Sequence, residues 1–148
     1  MYAVGSKPII KARTGWVEAM QLPGARQMKY FRALFECFPW QEASNDQSLI
    51  LNENPENSEF RMAVIGKRND FILAYTPWGG ELVIDLSKID ADKVMAYWFN
   101  PRSGDVVKIG QYNTNKEEVF KPWSDGRGSD FVLVLLKESS NFKFPNYN

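Results

Sequence analysis

The chain contains no histidine. That removes the side chain most used as a general base near neutral pH, the commonest metal ligand and every histidine-dependent catalytic triad. Cysteine occurs once, at Cys37, so no disulfide closes within the chain. Net charge is missing as well, because 18 Lys and Arg balance 18 Asp and Glu. Without a basic surplus there is no long-range field to draw the protein to nucleic acid or to an anionic membrane, and the reading includes neither partner. No stretch approaches the ~20 apolar residues of a membrane span, and residues 1–11 lack the ~7–15-residue apolar run of a signal peptide. Gly126-Arg127-Gly128 is not a phosphate loop, since no Gly-Lys-Ser/Thr ending and no helix follow it. The sequence therefore calls for no metal and no cofactor, and any catalysis would have to run on carboxylates, lysine or tyrosine.

What is present is 148 residues, 44% hydrophobic, which is enough for one domain with its own core. Within residues 16–40, Met28, Phe31, Phe35 and Phe38 recur at spacings of three and four, while Arg26, Lys29 and Glu36 fall on other faces. This predicts an amphipathic helix over 25–38, ended by Pro39, whose apolar stripe docks on the rest of the chain or on another copy. Residues 41–59 are polar apart from a short apolar piece at 48–51, which reads as extended chain within a connector.

From Phe60 the period changes. Short apolar or β-branched runs appear at 61–65, 71–76, 82–86, 94–99, 106–109, 118–120 and 131–136, separated by Gly, Pro, Asn and Asp clusters. The connections are too short for parallel crossovers. The expected fold is mostly β, an antiparallel β-sandwich preceded by one amphipathic N-terminal helix. The runs 94–99 and 131–136 are apolar nearly throughout and are expected at the sheet centre, buried on both faces. The resulting division is an N-terminal segment 1–40, a connector 41–59, a sandwich 60–138 and a fraying tail 139–148.

Glycoside hydrolysis needs two carboxylates flanking the scissile bond. Asp85, Asp90, Asp105, Asp125 and Asp130 all lie near strand ends or turns, where turn chemistry accounts for them, and no spacing selects a catalytic pair. Two tryptophans stand out by position. Trp78 sits in Thr76-Pro77-Trp78-Gly79-Gly80, and Trp123 follows Pro122 ahead of Asp125-Gly126-Arg127-Gly128. Each is either a platform for a ligand or a lid over the end of the core. Arg102, in Asn100-Pro101-Arg102-Ser103-Gly104, is a candidate structural brace, reaching back to Asp85 or stacking on Trp98.

Several segments then read together: residues 22–28, 34–40, 74–77, 83–86, 97–104 and 129–135. The run Tyr97-Trp98-Phe99-Asn100-Pro101-Arg102-Ser103-Gly104 is the most specific of them. In order and spacing they resemble the C-terminal part of apiosidase-like glycoside hydrolases, secreted or periplasmic proteins of polysaccharide-degrading bacteria. In these a (β/α)8 barrel is followed by a sandwich that carries the label of a collagenase's collagen-binding domain. The resemblance covers residues 16–136. It implies that residues 16–38 correspond to the last barrel helix and its lead-in, and residues 60–136 to the accessory sandwich. It also implies that the acid and nucleophile lie on barrel strands outside this chain, so no catalytic residue is carried over. Phe131 stands where the family tends to have tryptophan, which fits a core position rather than a ligand platform. The implied function is a non-catalytic accessory module that packs on a barrel and takes a glycan or an extracellular polymer such as collagen. The alternative is a piece of, or a subunit contributing to, a glycoside hydrolase whose activity resides on the barrel.

Overall fold

The computed structural model describes residues 15–144. The reading of residues 1–11 lies outside them. Two helices come first, a single turn α1 (Trp16–Ala19) and α2 (Pro23–Glu36). Eight strands follow: β1 (Ser44–Asn45), β2 (Met62–Ile65), β3 (Phe71–Thr76), β4 (Leu82–Asp85), β5 (Lys93–Phe99), β6 (Val106–Asn113), β7 (Glu117–Phe120) and β8 (Phe131–Lys137). Among the described residues they form two antiparallel sheets, one ordered β1-β2-β3-β8-β5-β6 and a smaller one pairing β4 with β7. The expected antiparallel sandwich is the architecture found.

Alternation assigns the two faces of the large sheet. Ala63, Ile65, Ile72, Ala74, Val94, Ala96, Trp98, Phe131, Leu133 and Leu135 point inward, onto Leu82, Ile84 and Phe120 of the small sheet. Phe71, Leu73, Phe99, Val132, Val134 and Leu136 point the other way, onto Leu34 and Phe38. Strands β3, β8 and β5 sit between neighbours; β8 is buried on both faces, as expected from its unbroken apolar run, whereas the outward Met95 and Tyr97 of β5 are only half-buried, so the expectation for 94–99 holds for its inner face and Phe99 alone. Phe131 is fully buried, a core residue.

Three local expectations are corrected. Helix α2 begins at Pro23 rather than residue 25, because a first-turn proline lacks only an N–H that the helix does not use. It ends at Glu36 rather than 38, and of the predicted series only Phe38, just past that end, is buried, alongside Leu34 and flanked by Tyr30 and Cys37: Met28 is 57% exposed, Phe31 is 44% exposed and Phe35 is half-buried. The helix carries two adjacent apolar stripes, and the sheet covers only one. The third correction concerns 48–51. This piece is mostly a 3-10 turn over Gln47–Leu49, capped by the Asp46 carboxylate accepting from Ser48 N at 3.1 Å, and it delivers Leu49 and Ile50 into the inner core.

The C-terminal stretch also packs rather than frays as far as residue 144. Phe142 lies 5.0 Å from Phe38 and 5.5 Å from Phe71 between ring centres, and Phe144 lies 4.8 Å from Tyr97. These rings finish the outer core. Among the described residues no helix is long and apolar enough to cross a membrane.

Candidate functional site

The loops that carry Trp78 and Trp123 meet at one end of the sandwich. After β3 the chain turns through Pro77-Trp78-Gly79-Gly80, with the Thr76 hydroxyl donating to the Gly79 carbonyl. Gly79 has φ 66°, and a Cβ there would collide with the Ser124 carbonyl, so only glycine lets the two loops touch. Contact is then made by a bridge between Gly79 and Asp125 and by Gly126 N donating to Trp78 O at 2.8 Å. Trp78 is half-buried in this junction. Trp123 is 54% exposed and meets the buried Phe131 ring at a steep angle, with centroids 4.6 Å apart.

Arg102 reaches the same place. In the turn after β5, Asn100 Oδ1 accepts from Arg102 N at 3.0 Å, and Gly104, at φ 83°, donates to Asn100 O at 2.8 Å. The arginine leaves this turn toward β8. Its Nη1 donates to Gly128 O, its Nε lies 3.2 Å from Asp130 Oδ1, and its guanidinium carbon sits 5.5 Å from the Phe131 ring centre. The structure thus joins Arg102 to Asp130 and Phe131, where the sequence suggested Asp85 and Trp98. Asp85 is committed elsewhere: its carboxylate accepts from Ser87 N at 3.0 Å and Ser87 Oγ at 2.6 Å, capping the turn Leu86–Lys88. Trp98 is buried in the inner core.

Around the sheet end from Trp123, the Arg102–Asp130 pair opens on a groove of about 430 Å³ between α2 and the outer sheet face. Met28, Phe31 and Phe35 form one wall, and Met62, Leu73 and Tyr75 form the other. Burial and, second, the Asp130 carboxylate push the Tyr75 hydroxyl above the ordinary phenol range, so it stays a neutral hydrogen-bonding group. Cys37 is likewise pushed up, by burial and then by Glu36, and its thiol donates to Ala33 O, which leaves little thiolate for chemistry. Among the described residues no group of three or more Cys, Asp or Glu is placed to hold a metal ion.

Loop position marked the tryptophans and the arginine as candidates but missed Asp130 and Tyr75 as neighbours of Arg102. Asp130 had been explained by its turn, and Tyr75 looked like an ordinary strand residue. Only the pairing of β3 with β8, which sets Tyr75 opposite Val132, puts both beside Arg102.

The family model described as "Putative collagen-binding domain of a collagenase" matches residues 45–136. The chain belongs to this family. Its match runs from Asn45 of β1 through the core turn at Gln47–Leu49 and every later strand up to Leu136 of β8. Among solved structures, a protein titled "Glycoside hydrolase" is 30% identical with a TM-score of 0.82, over 96% of this chain and 32% of its own. A family 5 glycoside hydrolase from Bacteroides vulgatus is 31% identical with a TM-score of 0.80, over 90% of this chain and 30% of its own. The chain therefore spans about a third of the length of these two proteins. No curated protein matches it.

Proposed function

We propose that this chain is a non-catalytic accessory module of a glycoside-hydrolase-like protein. Its helix side packs on a catalytic barrel, and the end bearing Trp78 and Trp123 faces a polymer, either a glycan or an extracellular polymer such as collagen. The observation that carries the reading is the second apolar stripe of α2. Met28 and Phe31 stand in water beside exposed Met62, over a groove that the sandwich does not fill. A soluble domain rarely leaves such a patch uncovered, because each large apolar side chain forgoes ~1.5–3 kcal/mol of burial. Support for a barrel as the cover comes from the two solved glycoside hydrolases, which extend well beyond the part this chain matches. Catalysis is assigned to that other part, since no spacing in this sequence selects a pair of carboxylates for hydrolysis.

Two measurements test the proposal. The 148-residue chain is incubated with aryl glycosides, pectic polymers and gelatin, with no turnover expected. Hydrolysis that survives purification and is abolished by one Asp or Glu substitution would overturn the non-catalytic assignment. Sedimentation of the isolated chain should show concentration-dependent self-association through the uncovered stripe, relieved in the Met28→Lys, Phe31→Lys double variant. A chain that stays monomeric, with sedimentation identical to that variant, would refute the packing surface.

A further inference from the structure

We infer that the end of the sandwich opposite the two tryptophans carries a second site, a cleft that takes a neutral sugar unit between Phe142, Arg68, Asp70 and Asp90. It goes beyond the accessory-module reading and does not depend on it.

The cleft is built where three segments meet. Strand β3 begins at Phe71 and β8 ends at Lys137, whereas the turn bearing Trp78 follows the other end of β3, so the two sites lie at opposite ends of the sheet. Lys137 N donates to Asp70 O at 2.9 Å, Lys137 Nζ donates to Asp90 O at 2.6 Å, and Asp90 N donates to Asn69 O at 2.9 Å. These bonds fix the β2–β3 hairpin, the turn ahead of β5 and the end of β8 to one another. Between them opens a space of about 610 Å³ whose lining includes Arg68, Asp70, Asp90, Lys137, Asn141 and Phe142. That size falls within the ~300–1,000 Å³ usual for small-molecule sites.

Two features of the lining point to a sugar. Phe142 is half-buried, and Phe38 and Phe71 hold its ring at 5.0 and 5.5 Å between centres, so the cleft has one braced apolar wall. Charged groups of both signs share the same space and stay apart. Among the described residues no ion pair or hydrogen bond engages the Arg68 guanidinium or the Asp70 and Asp90 carboxylates.

The chemistry then selects among ligands. A sugar hydroxyl both donates and accepts, so neighbouring hydroxyls of one ring can take a hydrogen bond from Arg68 and give others to Asp70 and Asp90. A polyanion is repelled by the two aspartates and a polycation by Arg68 and Lys137, whereas a neutral polyol suits the whole lining. The apolar C–H face of the sugar ring lies against Phe142. Because the backbone ties set the walls before a ligand arrives, little ordering is left to offset the gain.

Backbone-amide NMR of the 148-residue chain, titrated with xylotetraose, cellotetraose or β-1,4-galactotetraose, tests this, with tetragalacturonate as the anionic probe. Titration to ~10 mM nearly fills a site of ~1 mM affinity. At least one neutral oligosaccharide should shift amides within 66–70, 89–92 and 137–142. Arg68→Ala and Asp90→Ala should each weaken its binding about tenfold, while Lys108→Ala, which removes a charge from β6 outside the cleft, should leave it within about twofold. The Asp90 carboxylate has no partner among the described residues, so Asp90→Ala should melt within about 2 °C of wild type. Shifts centred on 78–80 and 122–128 place the ligand at the other end, which overturns this cleft and leaves the module reading standing. Tetragalacturonate binding as tightly as the neutral sugars overturns the ligand class. No shift with any neutral oligosaccharide, or binding that a natively melting Asp90→Ala chain retains in full, overturns the cleft.

Discussion

Replacing Leu34 by alanine probes whether α2 is anchored through the stripe seen in the structure or through the one its periodicity suggested. Leu34 is fully buried and packs in the outer cluster with Phe38, Phe71 and Leu73. The substitution removes three carbons from a site walled by rigid sheet residues, which collapse poorly into the space. Buried leucine-to-alanine changes cost ~2–5 kcal/mol, and a site this enclosed should fall near 3 kcal/mol. For a chain of about this size each kcal/mol is worth ~2–4 °C, so the melting temperature should drop by about 6–12 °C. Met28→Ala is the matched control. Met28 is on the same helix, alanine is at least as good a helix former, and the side chain is mostly in water, so its cost should stay below about 1 kcal/mol. Thermal unfolding followed by circular dichroism, at one protein concentration low enough to suppress self-association, reads both. A Leu34→Ala chain melting within a degree of wild type, or Met28→Ala costing as much as Leu34→Ala, would refute the assignment of the buried face.

Further outcomes follow from single contacts. Gly79→Ala should destabilise by at least ~2 kcal/mol, because it adds a strained positive φ to a collision with Ser124, whereas Gly126→Ala, with φ 93° but open space around the new Cβ, should cost about 1 kcal/mol; urea melts of the two separate these cases. Asp46 is held below the usual carboxylate range, first by the hydrogen bond from Ser48 and then by Lys88, whose Nζ lies 2.9 Å from Oδ2. A carboxyl depressed in the folded state stabilises fully above the unfolded value of about 3.9, and this contribution disappears as pH falls through the folded value. The pair remains partly open to solvent, which screens it, so the effect should stay near or below about 1 kcal/mol. Asp46→Asn should accordingly be less stable than wild type at pH 7, with the gap closing on acidification; a gap that is constant or widens toward low pH would contradict the cause given.

Much of the strand architecture was legible from local pattern. Alternation in 82–86, the unbroken apolar run of 131–136 and the turn residues between them reflect backbone geometry that each segment carries with it, so elements and fold class could be read one stretch at a time. Even Phe131 was correctly a core residue, because it opens the most apolar run in the chain. Which stripe of α2 would be buried was not legible. The predicted stripe of Met28, Phe31, Phe35 and Phe38 shares Phe38 with a neighbouring one of Tyr30, Leu34 and Phe38, and the choice between them depends on where the sheet surface sits under the helix.

The site divides in the same way. Composition alone established that no histidine chemistry and no intrachain disulfide could operate, and loop position alone raised Trp78, Trp123 and Arg102 as candidates. The partner of Arg102 was decided by tertiary structure. Asp85 and Asp130 are both strand-end carboxylates in sequence, but Asp85 is used up by its own turn at Ser87, and the β3–β8–β5 pairing brings Asp130 to the arginine. Local preferences specify elements because they act within a few residues. Partner choice is a competition among long-range contacts, settled only when the register of the whole sheet is fixed.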